Sequence, residues 1–185
     1  MTQYVAFLRA INVGGHAIVK MTDLRDAFVA AGCGDVRTFI ASGNVVFASA
    51  GKGTAALFQR IRSRLRTLLG AEPQVLFRTV RALERLVKAA PFKRFEAERD
   101  AKLYVTFLAR KAKSIPKLPL RSSKEALEVF ALEGLEVFLV SRRKKNGFYG
   151  FPNELTERTL GVPTTSRNWS TVTKIVEFAK KGSAG

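Results

Sequence analysis

The chain has 185 residues, 46% hydrophobic and 25% charged, a composition that excludes a disordered or fibrous polymer and allows one large domain or two small ones. Lysine and arginine number 32 against 15 acidic residues, so the net charge is +17, a field that concentrates polyanions at the surface. One cysteine and one histidine exclude an internal disulfide and a zinc site built from those ligands, and no apolar run approaches the ~20 residues that span a bilayer.

In chain order, Tyr4–Arg9 reads as a strand, being aromatic and β-branched. Thr22–Ala31 reads as an amphipathic helix: Leu24, Ala27, Phe28 and Ala31 recur at helical spacing, with Thr22 as N-cap and Gly32 as stop. Val36–Ala41 and Asn44–Ala48 read as strands around a tight turn at Ser42-Gly43. Thr54–Leu69 is a second helix, with Leu57, Phe58, Ile61, Leu65 and Leu68 inward, and Gln74–Arg78 a fourth strand. The order β-α-β-β-α-β predicts a ferredoxin-like split βαβ plait with right-handed crossovers.

Val80–Ala90 then reads as a third helix and Pro91–Asp100 as a charged connection. Strands follow at Leu103–Ala109, Leu127–Leu132 and Leu135–Val140, the last two around Glu133-Gly134, and helices at Asn153–Leu160 and about Asn168–Lys181. The expected class is therefore α+β: a plait over 1–98 packed on a smaller α+β subdomain over 99–185, with a β-hairpin and two C-terminal helices. Disorder is expected only at the Gly182–Gly185 tail. Tyr104-Val105-Thr106-Phe107-Leu108 echoes Tyr4-Val5-Ala6-Phe7-Leu8, so a duplicated half stands beside a chance match. Strands such as Tyr4–Leu8 and Val45–Phe47 are apolar on both faces, which predicts that the second half covers the open face of the first sheet.

Two segments concentrate candidate binding groups. The connection Ala10–Met21 is longer than the roughly 2–6 residues usual between strand and helix, and carries Asn12, Gly14, Gly15, His16 and Lys20. Paired glycines admit a ligand to the backbone, and a helix start beside a lysine suits an anion, although neither P-loop nor dinucleotide spacing is present. The split topology brings this loop to the same sheet edge as Ser42, Gly43 and Asn44; the competing reading is that Gly43, Asn44 and Asn12 satisfy the backbone of their own turns. The second segment, Thr164–Lys174, reads as the start of a helix, where Arg167 beside exposed N–H groups forms an anion site and Asn168 and the hydroxyls serve equally as caps. Trp169 is more naturally core than a stacking platform. Leu155–Ile175 resembles a helix-turn-helix, but its linker is too long for that turn. Arg142-Arg143-Lys144-Lys145 reads as an exposed loop able to touch phosphates without reading sequence.

The segments Leu8–Gly15 (LRAINVGG), Ser42–Phe47 (SGNVVF) and Thr165–Lys174 (TSRNWSTVTK) resemble, in order and over nearly the whole chain, a bacterial family known only as domain of unknown function 1697. The resemblance implies a cytoplasmic bacterial protein with a ferredoxin-like plait and an attached α+β subdomain, and carries over no catalytic roles. Ala10 stands where the family usually has Gly, and Ala17 and Ser170 where Asn is common.

The functional expectation is a basic binding protein for a phosphate-bearing small molecule or nucleic acid, contacting it through Arg9, Asn12, Gly14, Gly15, Lys20, Ser42, Asn44, Arg167, Asn168 and Lys174. An enzyme acting on a small anionic substrate is the alternative, with Asn12, Ser42 and Arg167 stabilising developing charge and no residue evident as general base. A protein–protein interaction module is the third reading. The absence of a basic-then-apolar leader fits a cytoplasmic location. No metal, cofactor or membrane partner is expected.

Overall fold

The β-branched and aromatic N-terminal run forms β1 (Thr2–Leu8) in the computed structural model, which describes residues 1–12, 18–50 and 54–182. It is followed by α1 (Met21–Ala30), β2 (Gly34–Phe39), β3 (Asn44–Ser49), α2 (Thr54–Leu69) and β4 (Val75–Thr79). The sheet order is β2-β3-β1-β4 with every neighbour antiparallel, so β3 fills the gap that the β1-α1-β2 crossover leaves. One face of this sheet presents Ala6, Leu8, Val45 and Phe47 to Leu24 and Phe28 of α1 and Leu57, Ile61 and Leu65 of α2. Each such side chain contributes roughly 1.5–3 kcal/mol when fully buried. The N-cap of α1 is Lys20, in extended conformation, in place of the expected Thr22, which lies inside the first turn and bonds Asp23.

All six residues of β3 are buried, so the sheet is covered on its other face too. Register shows which β2 side chains share that face. Arg37 pairs with Val46, and Phe39 with Asn44, which places both side chains on the face opposite Val45 and Phe47. There Phe178 packs on Phe39 at 5.2 Å between ring centroids, and Arg37 donates to the Phe178 carbonyl at 3.0 Å while lying over its ring at 4.9 Å. The end of the last helix, α5 (Trp169–Lys181), thus packs over β2 on this face.

The remaining elements are α3 (Val80–Ala89), a 3-10 turn at Lys93–Phe95, β5 (Ala101–Leu108), β6 (Leu120–Ser122), β7 (Leu127–Glu133), β8 (Glu136–Arg142), α4 (Pro152–Leu160) and β9 (Thr164–Asn168). The second sheet is antiparallel with order β6-β7-β8-β5-β9. On one side Leu155, Leu160 and Val162 pack against Tyr104, Leu108, Val129, Val137 and Leu139. A separate aromatic cluster joins Phe92 to Phe130, Phe138 and Trp169 at 5.1–5.8 Å, so Trp169 is a packing residue and the Pro91–Asp100 connection is anchored by buried Phe92 and Phe95. The protein is thus α+β, with two antiparallel sheets and five α-helices among the described residues.

Thr164–Asn168 corrects the sequence reading: it is a strand, not the start of a helix. Thr164 pairs with Leu108 and Asn168 with Tyr104, and helix begins only at Trp169. The β-branched pair Thr164-Thr165 favours extended backbone, and β5 offers it a ladder partner. The three-residue β6 was not foreseen, being too short to show a period. Two compact units are Met1–Arg85 with the stretch from Ile175, and Leu86–Lys174, so the division falls inside α3 and inside α5. Of the Gly182–Gly185 tail, all but Gly182 lies outside the described residues.

The echo of Tyr4–Leu8 in Tyr104–Leu108 extends to topology. Strand order β7-β8-β5-β9 repeats β2-β3-β1-β4. Tyr4 pairs with Phe47 and Thr79, and Tyr104 with Leu139 and Asn168; in each half a helix starts at the next residue, Val80 or Trp169. The halves differ where α1 stands in the first: the second has an irregular connection and β6 between β5 and β7.

Replacing Phe178 with alanine removes the ring that covers Phe39 and supports Arg37. The expected cost is roughly 2 kcal/mol, read as a lowered urea midpoint with little change in slope.

Candidate functional site

The first group of sequence candidates gathers where β1 leaves the sheet. The Leu8 N–H bonds the Gly43 carbonyl at 2.8 Å. Gly43 has φ +72°, and a Cβ there would come within 3.0 Å of the Leu8 Cβ and 3.1 Å of the Ile11 Cβ, so the turn requires glycine for both conformation and space. Asn12 (φ 55°) donates through Nδ2 to the carbonyls of Val19 (3.0 Å) and Ala41 (2.9 Å), while its Oδ1 accepts the Val19 N–H (2.8 Å). Asn44, fully buried, donates to the Phe39 carbonyl at 3.2 Å and to Ser42 Oγ at 3.1 Å. The topology therefore brings the Asn12 loop to the turn that holds Ser42 and Asn44: the Asn12 amide ties the β1–α1 loop to that turn at Ala41, and the Asn44 amide closes the turn itself. Arg9 bonds the Gln74 side chain at 3.2 Å, and Lys20 is exposed just ahead of α1. Gly14, Gly15 and His16 lie outside the described residues.

The second group lies in the other unit, around β9. Arg167 is 9% exposed and donates to Thr165 Oγ1 and the Ser166 carbonyl, both at 2.9 Å. Burial pulls its pKa down to about 10, which leaves it cationic at neutral pH. Beside it Thr106 and Ser166 share a 2.6 Å hydrogen bond, and Ser166 donates to Asn153 Oδ1 at 2.6 Å. Asn168 caps α5, its Oδ1 accepting the Ser170 N–H at 3.1 Å and the Ser170 hydroxyl at 2.8 Å; Lys174 is exposed a turn further on. Cys33 is buried, and desolvation raises its thiol pKa to about 11, against the Arg60 charge that lowers it, so little of it is thiolate at neutral pH. No cluster of three or more His, Cys, Asp or Glu suited to a metal occurs among the described residues, and none of the described helices is long and apolar enough to cross a membrane.

A third group went unremarked in the sequence. Between Asp100 and Glu125 the chain carries no acidic residue, yet contains Lys102, Arg110, Lys111, Lys113, Lys117, Arg121 and Lys124. Most of these sit on the connection from β5 to β7, at the place α1 occupies in the first half. Lys111, Lys113, Lys117 and Lys124 are exposed and form no ion pair among the described residues. Arg110, Lys113 and Arg158 line a cleft of about 380 Å³ at the end of α4. The neighbouring acids are already matched: Glu125 to Arg158 at 3.1 Å, and Glu128 to Arg142 at 2.8 Å and Arg121 at 3.5 Å. Burial would raise the Glu128 pKa, but the Arg142 hydrogen bond and the charges of Arg121 and Arg142 outweigh it and hold the carboxyl below its ordinary value. The available signal was the missing acids, which a scan for clustered cations alone passes over.

Residues 1–138 match the family described as "Protein of unknown function (DUF1697)". The chain belongs to this family. The match takes in the first sheet and the cation-rich connection and ends before β9. No curated protein matches the chain. Among solved structures, the conserved bacterial protein SP0830 from Streptococcus pneumoniae is similar with a TM-score of 0.67, covering 97% of this chain and 99% of its own at 21% identity, which establishes a shared fold.

Two outcomes follow. Asn12→Ala should cost about 1–3 kcal/mol in urea denaturation, because the Val19 and Ala41 backbone groups lose their partners. The depressed Glu128 pKa contributes stability that is present above the unfolded-state value near 4.5 and is lost as pH falls through the folded value. The stability margin of the wild type over Glu128→Gln should therefore shrink between pH 7 and pH 3 (a range chosen to bracket ordinary carboxylates, roughly pH 4), as read by thermal melts across the series.

Proposed function

We propose that this protein binds a phosphate-bearing polyanion, nucleic acid being the class its charge fits best, and that the connection between β5 and β7 is the main contact surface. The observation that carries this reading is the acid-free run from Ala101 to Lys124, with four exposed lysines lacking ion-pair partners among the described residues. Unmatched cations on one segment hold a positive potential that matched ones would cancel. Binding displaces the counterions condensed on a phosphate chain, so affinity falls steeply with salt. Such contacts position a backbone without reading bases. Lys20 and Lys174 are secondary contacts in this reading. Arg9, Arg167 and the asparagines act mainly by shaping loops, given the bonds they make within their own units. A cytoplasmic location belongs to the same reading.

Fluorescence anisotropy of labelled oligonucleotides between roughly 50 and 200 mM salt tests it. Neutralising Lys111, Lys113, Lys117 and Lys124 to glutamine should lower the log–log salt slope by roughly 2–3 on single strands and weaken binding at low salt, with the melting temperature unchanged. Absence of binding by the wild type at low salt, or an unchanged slope in the variant, would overturn the reading.

A further inference from the structure

Beyond β8 the chain makes a tight hairpin, Arg143-Lys144-Lys145-Asn146-Gly147-Phe148-Tyr149-Gly150-Phe151, which mixes cations with aromatics. Bonds of its own brace it. Arg143 bridges to Tyr149, the Lys144 N–H bonds the Phe148 carbonyl at 2.8 Å, and the Gly147 N–H bonds the Lys144 carbonyl at 2.9 Å. The Phe148 N–H is taken by Asn146 Oδ1 at 3.1 Å. The returning arm is fixed to the sheet: Ser141 donates to the Gly150 carbonyl at 2.9 Å, and Gly150 lies so close to the Glu125 carbonyl that any Cβ would collide with it.

Despite this bracing Phe148 is 72% exposed, and Phe151, edge-on to Tyr104 at 5.7 Å, is 56% exposed. The hairpin tip therefore presents a phenylalanine ring to water, where it is open to a ligand with an apolar face. Cations lie on the same hairpin and beside its Tyr149. Arg143 and Lys145 are exposed on the same hairpin, Arg143 donating through Nε to the Gly147 carbonyl at 3.3 Å; Lys102 lies 4.3 Å from the Tyr149 ring centre, and exposed Lys124 precedes Glu125, whose carbonyl lies against Gly150. The acids at this end of the sheet, Glu98, Glu125 and Glu128, are matched by Arg142 and Arg158.

We infer that this hairpin is a stacking tip for single-stranded nucleic acid, with Phe148 lying on a base and Lys102, Lys124, Arg143 and Lys145 contacting the flanking phosphates. The inference rests on the polyanion reading above and narrows it. An unpaired base offers an accessible π-face beside a phosphate, whereas duplex bases are already stacked on one another and a bare polyphosphate has no such face.

The test uses the full chain and three labelled probes: oligothymidine, a duplex of equal length, and an equally long abasic strand that keeps the phosphates. Oligothymidine should bind more tightly than the other two. Phe148→Ala should weaken oligothymidine by about five- to a hundredfold, while leaving the abasic-strand affinity, the salt slope and the melting temperature as they were. If Phe148→Ala leaves oligothymidine affinity unchanged, or all three probes bind alike, the stacking tip is overturned and the polyanion reading survives. If no probe binds, both are overturned. Binding to phosphatidylserine vesicles that Phe148→Ala abolishes, without a matching loss on oligothymidine, overturns it by placing the tip at a membrane surface.

Discussion

Covering both faces of a sheet sets the terms for this structure. β1 and β3 present apolar side chains on each side, and α1 and α2 can cover only one. The other face needs a second layer, to which the end of α5 contributes over β2 through Phe178 on Phe39 and the Arg37 bond to the helix carbonyl. A bare face carrying Val5, Phe7 and Val46 would forfeit several kcal/mol of burial, by the order of 1.5–3 for each large side chain. The first sheet thus draws a packing partner for β2 from the last helix, although its strands end at Thr79.

The two sheets solve the same problem with the same register. Tyr4 and Tyr104 occupy equivalent rungs, each flanked by its hairpin strand on one side and by the strand that leads directly into a helix on the other. Against this likeness the difference is local: α1 in the first half, an irregular cation-rich connection in the second. Helical backbone satisfies itself, so α1 is free to serve packing. The connection from Ala109 to Pro119 buries little beyond Ala112 and Leu118, and leaves its lysines in water. Connections outside the packed layers are where binding groups tend to lie.

Charge is also arranged rather than merely abundant. Arg142, Arg158 and Arg121 match the acids of the second unit, while Lys111, Lys113, Lys117 and Lys124 stand apart from any carboxylate among the described residues. Exposed ion pairs add little to stability, but matched acids no longer screen neighbouring cations from a ligand. The Asn12 and Asn44 amides serve another purpose, closing the turns at one end of the first sheet. Their placement follows from the topology, and their bonding shows why polar residues there look like a site when read along the chain.

The sequence alone determined the six elements of the first half and most of the second, because helical spacing in Leu57-Ile61-Leu65 and β-branched runs in Val45-Val46 are local signals that need no distant partner. It also determined that the Asn12 loop meets the turn holding Ser42 and Asn44, which topology dictates. Only the tertiary structure decided that Thr164–Asn168 is a strand, since its extended form depends on a ladder with β5, a partner far away in the chain. The same holds for Arg167, whose burial and lowered pKa come from the surrounding unit and have no trace in its neighbours along the chain. Which lysines stand unmatched was likewise undecided by composition, because an ion pair depends on the distance between side chains brought together by folding.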